Sequence, residues 1–282
     1  MRLLAYKIGW ITLVLLVLFL AGCLGTLGQR QTRYTSSVVD YLYPKKEVVV
    51  EPSVPYLNLP LRVGVAFVPS TSRGSRAADL SETDKMALME RIAAEFRALS
   101  FVKEIELIPS AYLVREGSFT NLDQIRTMYG VDVIALLSFD QVQHTDEGLL
   151  SLSYWTIVGA YLVKGEKNDT STMMDAAVYD IASRKMLFRA PGTSHVKGSA
   201  TPVNLSEQLR IDSAEGFSLA ADQLVVNLKD QLERFKEKVK QRPEEYVVKH
   251  RAGYTGGGSL GAGYALLVLG LGGWALRRGC KD

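Results

Sequence analysis

Cysteine is almost absent from this 282-residue chain, which has 2, Cys23 and Cys280, each beside an apolar segment at one end. The long stretch between them has neither a disulfide framework nor a thiol nucleophile. Histidine is scarce as well: His144, His195 and His250 are dispersed, and none belongs to a His-Glu-x-x-His pair or a cysteine-containing metal pattern. No metal and no cofactor is therefore expected, and His195, in the polar run Pro191 to His195, is expected in a surface turn. The nucleophile elbow Gly-x-Ser-x-Gly and the phosphate loop Gly-x-x-x-x-Gly-Lys-Ser/Thr are missing too. Asp132, Asp140, Asp175 and Asp180 fall near apparent strand ends, but separated acids are common and do not define an acid–base pair. The chain reads as a non-enzyme.

Charge of one sign is also lacking. The net charge of +3 comes from 33 basic and 30 acidic residues, and Arg2, Lys7, Arg277, Arg278 and Lys281 lie in the end segments with only Asp282 opposing them. The middle is close to neutral. The basicity fits membrane topology, and no nucleic-acid partner is expected.

What is present begins with a basic head, Met1 to Lys7, followed by the apolar run Ile8 to Leu20 and the small residues Ala21 and Gly22. This is the length and order of a secretory signal; a retained membrane anchor is the alternative. Leu20-Ala21-Gly22-Cys23 closely resembles the lipobox of bacterial lipoproteins. That resemblance implies that residues 1–22 are removed and that Cys23 receives diacylglycerol and usually a further acyl chain such as palmitate. It also implies the lipoprotein maturation enzymes as partners and a membrane lipid as the anchor. Several chains are needed because one acyl chain binds only reversibly. Leu24 stands where an inner-membrane retention signal would place aspartate, which implies transfer to the outer membrane. Residues 23–58, polar with Pro44, Pro52 and Pro55, read as a lipid-anchored linker, with Val48-Val49-Val50 as an alternative edge strand.

Residues 59–242 carry the periodic patterns of a folded domain. Leu61 to Val68 reads as a strand, and Ser81 with Asp84 caps a helix bearing Met89, Ile92, Phe96 and Leu99. Val102 to Ile108 is a second strand. Asn121 and Gln124 repeat the cap pattern before Leu122, Ile125 and Met128, Gly130 stops that helix, and Val131 to Phe139 has the apolar continuity of a central strand. Leu149 to Val163 alternates as a long, partly exposed strand, and Met173 to Ile181 with Lys185 to Arg189 forms a hairpin turning at Ala182-Ser183-Arg184. Ser206 is placed to cap a long helix whose stripe is Ala214, Phe217, Ala221, Leu224, Leu228 and Phe235. Lys236, Lys238, Lys240 and Arg242 read as its solvated last turn, with contact to anionic head groups as the alternative.

The expected fold class is α/β, a two-layer or three-layer-like sandwich on a mixed sheet. The element order, with Ala177 to Leu187 as a strand-turn-strand phrase, resembles periplasmic domains related to the amino-terminal domain of TolB and to the CsgG-type curli secretion lipoprotein. Those domains generally act in binding and assembly.

Residues 243–258 read as a linker with a glycine-rich processing region, residues 259–276 as a C-terminal transmembrane helix, and residues 277–282 as a basic cytoplasmic tail. Gly256, Gly257 and Gly258, the apolar run and the pair Arg277 and Arg278 closely resemble the GlyGly-CTERM sorting tail. Together with the lipobox, they resemble the rhombotarget lipoprotein family. This implies a rhomboid-type intramembrane serine protease, rhombosortase, as a further partner, with the precursor in the inner membrane and the processed protein in the outer membrane. An ordinary tail anchor packed through Gly253, Gly257 and Gly261 is the alternative. Two functions stay open for the domain: a structural or assembly factor for an envelope protein partner, or a periplasmic small-molecule or glycan-binding module with Tyr154, Trp155 and Tyr161 as candidate ligand contacts. A closed concave pocket lined by those aromatics would favour the second, and an exposed apolar strand edge or helix face the first.

Overall fold

The computed structural model describes residues 30–44, 53–70, 80–147, 166–201, 203–251 and 254. In chain order the elements are β1 (Arg30–Thr35), α1 (Val38–Leu42), β2 (Tyr56–Leu59), β3 (Leu61–Phe67), α2 (Glu82–Ala94), β4 (Val102–Ile108), α3 (Ser118–Tyr129), β5 (Val133–Glu147), β6 (Glu166–Asp180), β7 (Lys185–Ala200), α4 (Leu205–Gln241) and β8 (Val247–His250). The main sheet is mixed, in the order β4-β3-β5-β6-β7, with β1 beside the far half of β5. β3 is parallel to both β4 and β5, while β6 and β7 extend the sheet antiparallel.

β5 is the axis of the molecule because its alternate residues serve two cores. Ile134 and Leu136 pack with α1 and α3 on one face; Leu137 and Phe139 pack with α2 and α4 on the other. Burial on both faces is what an almost unbroken apolar run requires. The result is the expected mixed α/β sheet, with helices on both sides.

Local chemistry sets the helix ends. The Ser81 hydroxyl accepts from the Asp84 amide at 3.1 Å, and the left-handed conformation of Gly130 (φ 67) lets its amide close the end of α3 on the Arg126 carbonyl. Two expected caps lie elsewhere. α3 begins earlier, so Asn121 is inside it and buried, accepting from the Val114 amide at 2.9 Å and the Tyr41 hydroxyl at 2.8 Å. Asn204, not Ser206, precedes α4. On α4 the face toward the sheet comprises Asp212, Gly216, Phe217, Ala220, Ala221, Leu224, Leu228 and Phe235, and Ala214 is exposed.

The segment expected as a linker before residue 59 contains parts of the fold. β1 pairs antiparallel with β5 from Arg30↔Thr145 to Thr35↔Asp140, and Arg33 holds Asp140 through two hydrogen bonds of 2.9 and 2.5 Å. Tyr34, Tyr41 and Leu42 are buried. β2 lies parallel to β8, which falls within the segment expected to link the domain to the C-terminal region. Arg251 fastens this two-stranded ribbon to the main sheet by donating to Asp132 Oδ2 at 2.5 Å.

The expected C-terminal transmembrane helix requires correction as a component of the fold. Among the described residues no helix is long and apolar enough to cross a membrane. The longest, α4, has 37 residues but carries ion pairs such as Arg234–Asp230 and Arg210–Glu207 on its outer side, a pattern suited to one face on a sheet and one in water. Residues 259–276, where the span was expected, lie outside the described residues, as do Val48-Val49-Val50 and the strand expected over Leu149 to Val163.

Under the first half of α4 the interface is polar. Gln141 donates to Thr172 Oγ1 at 2.8 Å and to the Ser213 carbonyl at 3.2 Å, Gln143 donates to the Leu209 carbonyl at 2.9 Å, and Asn168 donates to Asp212 Oδ2 at 2.5 Å. These side chains are buried, and partners of this kind remove the cost of taking them from water. On the opposite face, burial is the largest influence raising the Tyr179 hydroxyl to about 12.

Candidate functional site

Toward the Val133 end of β5, a cavity of about 760 Å³ lies over the sheet, lined on two sides by α2 and α4. Its floor is formed by Val63 and Val65 of β3, Ile105 of β4, Val133 and Ala135 of β5, and Val178 of β6. One wall is the end of α2 with Ile92 and Ala93 and the turn after it with Phe96; the other is the later part of α4 with Leu228, Leu232, Phe235 and Val239. The β2–β8 ribbon closes a third side through Leu57, Leu59 and Val248. Its volume falls within the usual range of small-molecule sites, roughly 300–1,000 Å³.

The lining is hydrocarbon apart from Ser100, Lys236, Lys240, His250 and the Tyr254 hydroxyl. Helix periodicity places Leu228, Leu232, Phe235 and Val239 on one side of α4, and strand alternation turns Val133 and Ala135 toward them. Phe235 stacks on Phe188 and meets Tyr246 edge-on, with both ring centroids 5.4 Å away, so the wall is packed from behind. Such a surface can take up an apolar group by displacing water. It offers no nucleophile with an adjacent base, and no group of three or more metal-ligating side chains occurs among the described residues.

The structure separates the acids noted in the sequence. Asp132 accepts from Arg251, Asp140 from Arg33, Asp175 from Arg189 at 2.7 Å, and Asp180 from the Ser183 amide at 2.9 Å within the β6–β7 turn. Each supports a different contact, so they do not converge. His195 lies on β7 rather than in a turn, half exposed, with its ring 3.2 Å from Asp169 and 3.2 Å from the Ser171 hydroxyl. His144 is on β5; His250 ends β8 at the cavity mouth.

Tyr154, Trp155 and Tyr161, the candidate ligand contacts, fall outside the described residues. So do Leu20, Ala21, Gly22 and Cys23, the glycines Gly256, Gly257 and Gly258, and Arg277 and Arg278. The cavity residues themselves were not singled out as a site in the sequence. Each belongs to a pattern that also describes ordinary core, and only the tertiary arrangement leaves them facing a space.

No protein-family model and no curated protein matches the chain. Among solved structures it is similar to the PelC dodecamer from Paraburkholderia phytofirmans. A single-substitution variant of that protein gives 12% identity over 70% of this chain and 98% of that chain, with a TM-score of 0.24. A second PelC structure gives 10% identity over 70% of this chain and 96% of that chain, with a TM-score of 0.26.

Proposed function

We propose that this domain is a non-catalytic binding module of the cell envelope that takes the apolar part of a small molecule into the cavity between α2 and α4. The carrying observation is that cavity: a concave, hydrocarbon-lined space supported by packed aromatic rings. Covering apolar surface contributes about 25 cal/mol per Å², so a ligand tail is stabilised without a specific polar contact. Of the two functions open from the sequence, the small-molecule module is favoured over the assembly factor. Among the described residues, the lining lacks the array of polar groups that would hold a sugar by its hydroxyls, so the apolar form of that reading is preferred.

A long-chain alcohol tests the proposal. With the full chain in phosphatidylcholine vesicles, dodecanol at about a hundredfold excess over its Kd should stabilise the domain by about 2.7 kcal/mol. The thermal midpoint, followed by circular dichroism, should rise by several degrees. A midpoint no higher with dodecanol than with an equal concentration of ethanol would remove the basis for the assignment.

Envelope placement is part of the proposal and is supported by the Leu20 to Cys23 motif, with lipid attached at Cys23 by the maturation enzymes and Leu24 favouring the outer membrane. Mass spectrometry of the native protein should find Cys23 as the first residue, carrying acyl chains. Recovery of residues 1–22 joined to an unmodified Cys23 thiol would contradict the placement.

A further inference from the structure

Charge of one sign gathers at the cavity mouth. Lys236 and Lys240 stand one turn apart on α4, and no aspartate or glutamate is among the described residues that line the space. The lysines have partners, Glu233 at 2.6 Å and Glu237 at 2.7 Å, but these carboxylates are not part of the lining. Glu233, Glu237 and Lys240 are largely exposed at the side chain, at 68%, 60% and 59%, while Lys236 is 33% exposed. Single pairs whose carboxylate stands in water contribute little to stability, so a ligand anion can compete with Glu233 or Glu237 for these lysines. Lys236 is held near the opening by its position 4.9 Å from the centroid of the Phe101 ring.

We propose that the ligand is a long-chain amphiphile with an anionic head. Its hydrocarbon lies on the β3–β5 floor, and its head meets Lys236 and Lys240 at the mouth. This rests on the reading of the cavity as a ligand site and adds the class of molecule. A neutral head of the same length would gain only the hydrocarbon contact; a quaternary ammonium would meet like charge.

Photolabelling separates the two levels of the proposal. Three diazirine probes share one dodecyl tail and carry an ionised carboxylate, an alcohol or a trimethylammonium head. Each is given to the full chain in phosphatidylcholine vesicles, and labelling is mapped by peptide mass spectrometry and normalised to the probe partitioned into lipid. The carboxylate should label the cavity peptides about fivefold more than the other two, the scale of one exposed charge pair. In the double variant Lys236→Gln, Lys240→Gln this preference should vanish, while labelling by the alcohol and the thermal midpoint stay unchanged. Equal labelling by all three heads, preference for the ammonium, or a carboxylate preference that survives in the variant overturns the anionic-head assignment and leaves an apolar site. Labelling of the cavity by none of the probes, as when a protein segment fills it, overturns the site and the assignment together.

Discussion

Gly192→Ala should destabilise the domain by about 3 kcal/mol, at the upper end of the usual cost of forcing a methyl group into a packed interface. β7 passes directly beneath α4 at this residue. A Cβ there would overlap the Ala220 carbonyl oxygen and stand 2.5 Å from the Leu224 amide nitrogen and 2.7 Å from its Cβ. Two of these atoms are helix backbone, so relief requires moving α4 away from the sheet, not turning a side chain. Gly216→Ala provides the comparison: its nearest obstacle is Thr172 Oγ1 at 2.5 Å, a hydroxyl that can rotate at the expense of its bond from Gln141. Urea unfolding should therefore rank Gly192→Ala as clearly the more damaging. Equal losses, or a loss at Gly192 below about 1 kcal/mol, would mean that the helix and sheet do not approach as closely as the structure shows.

Ala135→Trp should weaken binding of dodecanol by on the order of tenfold or more while leaving the unfolding free energy from urea titration within about 1 kcal/mol of the parent. Ala135 is part of the cavity floor and only partly buried, and the small Ala93 of α2 also lines the space. An indole projecting from this position occupies the volume that the ligand tail would fill and covers the same hydrocarbon. The substitution has room where a core position would have none, so its effect should fall on binding. Titration with a fluorescent long-chain alcohol measures it. Undiminished affinity in a folded variant would place the ligand elsewhere.

The sequence made one part of this architecture readable because its signals are local. Ser81 announces α2 through a bond within four residues, Gly130 ends α3 through its own backbone, and the apolar continuity of β5 states that both faces are covered. The β6–β7 hairpin was visible in its turn region, although the structure carries it to Ala200. What remained hidden depends on remote partners. β1 is polar and short, and becomes a strand because β5 offers it an edge more than a hundred positions along the chain, with Arg33 and Asp140 107 residues apart. β2 and β8 likewise define each other across most of the domain. Asn121 misled because accepting an amide hydrogen bond is the chemistry of a cap, but here it serves the loop before the helix and Tyr41. The cavity was hidden for a further reason: Leu228, Phe235 and Val133 have the spacing of core residues, and no periodicity records that the space between them is left unfilled.

The pairing of β1 with β5 also fixes a polarity along the molecule. If the lipid is carried by Cys23, about seven residues separate it from Arg30, a leash of roughly 25 Å at full stretch. Arg30 is opposite Thr145, whereas the cavity floor includes Val133, roughly 40 Å back along the same strand. The Arg30 end of β1 and the cavity floor therefore lie toward opposite ends of β5. A tether at Cys23 would then enter the domain at the end of the sheet away from the cavity.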